Sequence, residues 1–171
     1  MPKFDKKPKK NSFILAKNYP ILMNKKQYNL LLADDDEDDC DFFKEALDEL
    51  HLPTSLVTVN DGVQLMDFLS EKSVENLPDI LFLDLNMPRK NGLECLREIK
   101  QNEAYKNLPV IIFSTSLDRD IVDLVYEKGA FHYIRKPGEF AKLKKVIANA
   151  LSIAAESNLK QPVREDFILQ P

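Results

Sequence analysis

Short apolar runs alternate along the chain with longer segments in which apolar residues recur every three or four positions. The runs are rich in Leu, Ile, Val and Phe and are too short for helices, which is typical of buried strands. The segments between them predict amphipathic helices, as where Phe43, Leu47 and Leu50 stand at i, i+4 and i+7. The predicted strands cover residues 29–33, 55–59, 80–84, 109–114 and 131–135.

Strands without polar alternation, each followed by a helix, imply a parallel sheet that is covered on both faces. We therefore predict one α/β, doubly wound domain over residues 28–156. A basic, flexible N-terminal extension is predicted over residues 1–27, and residues 157–171 form a C-terminal tail too short for an output domain. The predicted buried positions of the second helix are Val63, Met66 and Leu69.

Composition narrows the class of protein. Residues 1–28 carry eight lysines and one aspartate, so the rest of the chain has a net charge of −11, which is poorly suited to a nucleic-acid backbone. The two cysteines, Cys40 and Cys95, lack the spacing of a metal site and fit a reducing compartment. No apolar run reaches the ~18 residues of a membrane span. We therefore expect a cytoplasmic protein that binds neither nucleic acid nor membrane.

Chemically active side chains stand at the ends of four predicted strands. In an open parallel sheet these carboxyl ends share one edge, where ligands bind. Three carboxylates, one hydroxyl and one amine are therefore expected to converge there, from Asp34, Asp35, Asp84, Ser114 and Lys136. The later acids, from Asp36 to Asp39, are expected to open a helix instead, because a helix N-terminus favours negative charge.

This set of side chains suits phosphoryl transfer to a carboxylate. Asp84 is the candidate nucleophile, because an aspartate can form an acyl phosphate. Asp35 and Asp84 would supply oxygens to Mg²⁺, with Asp34 acting through a bridging water. Lys136 would offer its positive charge to one phosphate oxygen, and Ser114 a hydrogen bond to another.

Three stretches carry a resemblance to a known family: "ADDDEDD" (residues 33–39), "DLNMPRKNG" (residues 84–92) and the pair "KP" (residues 136–137). Over residues 28–155 the chain resembles a CheY-like response-regulator receiver domain. The resemblance implies a flavodoxin-like, five-stranded parallel sheet of order 2-1-3-4-5. It also implies that Asp84 is the phosphoacceptor, that the Asn86 backbone carbonyl binds the metal, and that the Lys136–Pro137 peptide is cis.

The same resemblance implies a single-domain response regulator of a two-component phosphorelay. Its phosphoryl donor would be a sensor histidine kinase or a phosphotransfer protein, and it would catalyse only its own phosphorylation and dephosphorylation. Ser114 and Tyr133 would form the switch, with Tyr133 rotating inward once Ser114 moves. A downstream protein would bind the face made by the fourth helix, fifth strand and fifth helix, and a homodimer is a further expectation.

Three alternatives remain open from the sequence. A receiver-like scaffold could bind partners without ever being phosphorylated. An EF-hand-like calcium loop would use Asp34, Asp36, Asp38 and Glu45, although its sixth position is Asp39 where glycine is needed. An aspartyl phosphatase would want an acid two residues after its nucleophile, and Asn86 stands there.

Overall fold

The computed structural model describes residues 27–155 and 159–171. The strands of the described chain are β1 (Tyr28–Ala33), β2 (Thr54–Val59), β3 (Ile80–Leu83), β4 (Val110–Ser114), β5 (His132–Arg135) and β6 (Ile168–Leu169). They form one parallel sheet in the order β2-β1-β3-β4-β5-β6. The α/β class and the predicted order of the first five strands are confirmed. The sixth strand was not predicted.

Five α-helices cover the described sheet: α1 (Glu37–Leu50), α2 (Gly62–Ser70), α3 (Gly92–Gln101), α4 (Arg119–Glu127) and α5 (Phe140–Ala155). Side chains of α1 and α5 share a core cluster with Leu30 and Leu32 of β1. Those of α2, α3 and α4 share the other with Leu31 and Ala33. Because neighbouring residues of a strand face opposite sides, β1 supplies both cores, which explains its unbroken apolar run.

The acidic residues after Asp35 open α1, as the sequence predicts. The Asp36 carboxylate caps the helix by accepting hydrogen bonds from the backbone N–H groups of Asp38 (2.9 Å) and Asp39 (3.2 Å). Glu37 is already helical, so this stretch does not form the open loop that an EF-hand needs to wrap a calcium ion. The calcium alternative therefore has no structural support.

The buried face of α2 differs from the prediction. Leu65 and Leu69 are buried, whereas Val63 is 37% exposed and Met66 is partly buried. Asp61 accepts hydrogen bonds from the Val63 and Gln64 N–H groups (2.8 and 2.9 Å). This cap fixes the start of the helix, and Leu65 and Leu69, which are four residues apart, lie on its buried face.

The C-terminal segment, residues 159–171, packs against the edge of the sheet. Ile168 and Leu169 pair with Tyr133 and Ile134 of β5, and Phe167 is fully buried. The Phe167 ring lies 5.0 Å from the Tyr126 ring in an edge-on arrangement, and the Tyr126 hydroxyl donates to the Pro162 carbonyl (3.0 Å). The segment thus covers the strand edge that β5 would otherwise expose.

The predicted domain limits are not tested. Residues 1–26 and 156–158, where the extension and the C-terminal boundary were placed, lie outside the described residues. Among the helices that are described, none is long and apolar enough to cross a membrane.

His132 predicts a pH dependence for the folded state. Its Nδ1 donates to the Phe167 carbonyl (3.1 Å), and burial lowers its pKa below the ordinary value of 6.5, although that bond and Asp166 oppose the shift. The unfolded chain therefore takes up the proton first as the pH falls. The contribution of neutral His132 to the free energy of unfolding is therefore complete above pH 6.5. It declines as the pH falls from there toward the lower pKa of the folded state.

Urea unfolding between pH 7.5 and 5.5 measures this decline. His132→Gln is the matched variant, because glutamine can still donate but cannot gain charge. We expect the wild type to lose more stability than the variant over this range. Equal losses in the two proteins would exclude His132 as the source.

Candidate functional site

Three carboxylates meet where β1 and β3 end. One oxygen from each of Asp34, Asp35 and Asp84 lies within 4.8 Å of the others, and Asp34 and Asp84 are buried while Asp35 is exposed. Two carboxylates ~4 Å apart repel by about 4 kcal/mol at an effective dielectric near 20. Hard carboxylate oxygens are the ligands that Mg²⁺ and related divalent cations prefer, so this donor set fits such an ion.

Backbone hydrogen bonds fix these residues at the edge of the sheet. The Asp34 N–H donates to the Val59 carbonyl (3.0 Å) and the Asp84 N–H to the Ala33 carbonyl (2.9 Å), which extends the ladder just past the strands. The Asn86 N–H then donates to Asp84 Oδ1 (3.2 Å). Asp84 is therefore held at the start of a tight turn, with its other oxygen directed to Lys136.

The turn after Asp84 is closely packed. A side chain at Gly92 would meet the Asp84 carbonyl oxygen at 2.1 Å, so glycine is required where α3 begins. The same loop is tied to α2 by an ion pair between Arg89 and the buried Asp61 carboxylate. The role of Asp61 was missed in the sequence, since an acid before a helix reads as an ordinary cap.

Lys136 supplies the positive charge of the site. Its side chain is almost buried, and Nζ lies 2.8 Å from Asp34 Oδ2, 2.7 Å from Asp39 Oδ2 and 3.0 Å from Asp84 Oδ2. The contacts with Asp39 and Asp84 are hydrogen bonds, whereas that with Asp34 is an ion pair without hydrogen-bond geometry. The structure therefore adds Asp39 to the predicted set of site residues.

The charged groups shift one another's protonation. Burial raises the pKa of Asp34 to about 6, although the Lys136 ammonium and the Asp36 N–H oppose the rise. The surrounding carboxylates raise the pKa of Lys136 against the effect of burial, which keeps the amine charged. One lysine only partly offsets the negative charge of this edge, and a bound cation would offset more of it.

Ser114 and Tyr133 lie at the ends of the neighbouring strands β4 and β5. Ser114 Oγ is buried next to the Tyr133 hydroxyl but has no hydrogen-bond partner of acceptable geometry among the described residues. Tyr133 is also buried, and its hydroxyl donates to the Ser116 carbonyl (2.7 Å). The predicted inward rotation of Tyr133 does not start from this conformation, because the ring is already inside.

The prediction of a cis Lys136–Pro137 peptide is wrong for this structure, in which the bond is trans. Trans is the lower-energy isomer of an X–Pro bond by about 0.5–1 kcal/mol.

Comparison with known proteins gives the chain its family. Residues 30–148 match the family model of the response regulator receiver domain. Response regulator Rcp1 of Synechocystis sp. is 34% identical over 131 residues, which span 75% of this chain and 89% of Rcp1.

Two solved structures show the same fold. Phosphorylated RcpA, a cyanobacterial phytochrome response regulator, has a TM-score of 0.69 at 31% identity, covering 77% of this chain and 96% of RcpA. The Mn²⁺-bound form of Rcp1 has a TM-score of 0.67 at 32% identity, covering 80% of this chain and 99% of that structure. The chain therefore belongs to the response regulator receiver family of two-component signalling systems and is homologous to phytochrome response regulators.

Proposed function

We propose that this protein accepts a phosphoryl group on Asp84 from a sensor histidine kinase or a phosphotransfer protein. The observation that carries the proposal is the position of Asp84 Oδ2, 3.0 Å from Lys136 Nζ and beside the carboxylates of Asp34 and Asp35. Family membership supports it, since receiver domains are the phosphoacceptors of two-component systems. The protein would catalyse only its own phosphorylation and dephosphorylation.

The residues divide the chemistry among them. A carboxylate oxygen of Asp84 attacks phosphorus, and the new O–P bond forms as the P–N bond of the phosphohistidine breaks and the imidazole leaves with the electron pair. Lys136 stabilises the charge on the transferred group, and the unpartnered Ser114 hydroxyl is available to donate to another of its oxygens. In this way a buried serine gains the hydrogen bond that it lacks before transfer.

Mg²⁺ is the proposed cation. Asp35, Asp84 and the Asn86 backbone carbonyl would hold it, with Asp34 behind them, and the ion would neutralise charge on the transferred group. A relative binds a divalent metal, since Rcp1 has been solved with Mn²⁺. The choice of Mg²⁺ rests on the all-oxygen donor set.

The output would pass through the face made by α4, β5 and α5, where the C-terminal segment covers the edge of β5. Ser114 and Tyr133 connect the site to this face, and the Tyr133 N–H donates to the Phe167 carbonyl (3.0 Å) of the C-terminal segment. Because Tyr133 is already buried, we infer that phosphorylation changes its contacts with Ser114 and Ser116 rather than bringing the ring inward. A downstream protein or a second copy of the chain would read that change, in the cytoplasm.

Intact-protein mass spectrometry with acetyl phosphate tests this function. We expect one addition of ~80 Da, the mass of a single phosphoryl group, in the presence of Mg²⁺ and its loss when EDTA removes the metal. Unlabelled protein at saturating Mg²⁺, together with failure to bind the phosphoryl mimic beryllofluoride, would leave a receiver-shaped binding scaffold instead.

A further inference from the structure

Asp39, which was not predicted as a site residue, contacts the Lys136 ammonium. It lies in the first turn of α1, 97 residues before Lys136 in the sequence, and accepts a hydrogen bond of 2.7 Å from its Nζ. The Asp39 backbone N–H is itself fixed by the Asp36 side chain (3.2 Å). The contact is therefore built into the start of the helix.

Three carboxylates surround the Lys136 ammonium: two of its N–H groups donate to Asp39 and Asp84, and Asp34 lies against it as an ion pair. An ammonium group carries three N–H bonds, and Nζ faces three carboxylates at 2.7 to 3.0 Å. A phosphoryl oxygen attached to Asp84 must share this ammonium with the carboxylates of Asp34 and Asp39, so it gains a closer bond to Lys136 if one of them gives up its contact.

Asp39 is the carboxylate that can be released at least cost. Asp34 is completely buried and its Oδ1 accepts from the Asp36 N–H (3.1 Å), while Asp84 is the group that becomes phosphorylated. The Asp39 side chain is 35% exposed, so water can replace the lysine as its partner. Releasing Asp34 would instead leave a buried charge without its counter-ion.

We propose that Asp39 is a positioning residue that competes with the phosphoryl group for Lys136. It holds the lysine while Asp84 is free and competes for it when Asp84 is phosphorylated, so it opposes the phosphorylated state. It also adds negative charge beside the proposed metal site and thereby strengthens Mg²⁺ binding. This inference rests on the proposed function, because it takes Asp84 as the phosphoacceptor.

Asp39 is expected to weaken binding of a phosphoryl group and to strengthen binding of Mg²⁺. Its removal should therefore change the two affinities in opposite directions. Asp39→Asn removes the competing charge but preserves the size of the side chain. At saturating Mg²⁺ we expect beryllofluoride to bind about three- to tenfold more tightly to the variant, because a charge-assisted hydrogen bond to Lys136 has been exchanged for a weaker one. In the absence of beryllofluoride, Mg²⁺ should bind about two- to fivefold more weakly, because one nearby negative charge is lost.

Both affinities are measured by titration on the full chain, with the neighbouring exposed residue as the control. Asp41→Asn removes the same charge from the same helix, and we expect both of its affinities to stay within about twofold of the wild type, since an exposed charge contributes little. Asp39→Ser is judged by the same two titrations and decides the case if Asp39→Asn does not fold.

Only tighter beryllofluoride binding together with weaker Mg²⁺ binding supports the inference. A variant that binds both probes more weakly, binds both more tightly, or matches the wild type in either titration overturns the competition with Lys136. Failure of the wild type itself to bind beryllofluoride at saturating Mg²⁺ would instead refute the proposed function, so the two failures can be distinguished.

Discussion

Replacing Asp84 with asparagine is expected to abolish phosphoryl labelling by acetyl phosphate. The amide has nearly the same shape as the carboxylate, but it is not a nucleophile and cannot form the acyl phosphate. It also removes the charge that Lys136 Nζ contacts at 3.0 Å. Intact mass of the wild type and variant, in the same Mg²⁺ and acetyl phosphate, should show the ~80 Da addition of one phosphoryl group in the wild type alone.

Asp48→Asn is the matched control for this experiment. Asp48 is an exposed residue of α1, and the same chemical change there should leave labelling intact. Full labelling of Asp84→Asn would show that another residue accepts the group and that the proposed site is wrong. A protein that unfolds on substitution would be recognised by circular dichroism before the labelling is compared.

Removing the Phe167 side chain is expected to cost about 3 kcal/mol in the free energy of unfolding, which is typical of a buried phenylalanine replaced by alanine. Phe167 is fully buried against the rings of Tyr126 and Tyr133, with centroid distances of 5.0 and 6.4 Å. Urea unfolding measures the loss. A second readout is hydrogen exchange of the Tyr133 amide, which should quicken because its acceptor is the Phe167 carbonyl.

Val163→Ala is the control in the same segment. Val163 is 61% exposed, so its truncation should change the stability by less than about 0.5 kcal/mol. If Phe167→Ala were as stable as this control and the Tyr133 amide stayed protected, the C-terminal segment would not be packed against β5 in solution.

Each of the five predicted strands differs from the observed one by a single residue at one end, and the reason for this agreement is burial on both faces. β3 and β4 are buried at every position. Their sequences are therefore apolar up to Ser114 at the end of β4, and they contrast sharply with the polar residues at and after their ends. Amphipathic helices carry a weaker signal, because rotation by one residue is tolerated. This explains why the prediction for α2 included the exposed Val63 and omitted Leu65.

The C-terminal strand could not be recognised in the same way. Ile168 and Leu169 form only a two-residue strand, and their neighbours are a short 3₁₀ turn (Arg164–Asp166) and the chain end. So short a run has no period to detect. Its position depends on the exposed edge of β5 and on the space that Phe167 fills, and both exist only in the folded chain.

By itself, the sequence determined that a parallel α/β sheet forms and that Asp34, Asp35, Asp84, Ser114 and Lys136 stand at strand ends, because buried strands and their polar ends are local patterns. The tertiary structure decided which charged groups at those strand ends contact one another. Asp39 reads as one of several acids at a helix start, yet the packing of α1 against α5 and the sheet places it on Lys136. Contacts between residues far apart depend on how the elements dock, and no local pattern of hydrophobicity or charge encodes that geometry.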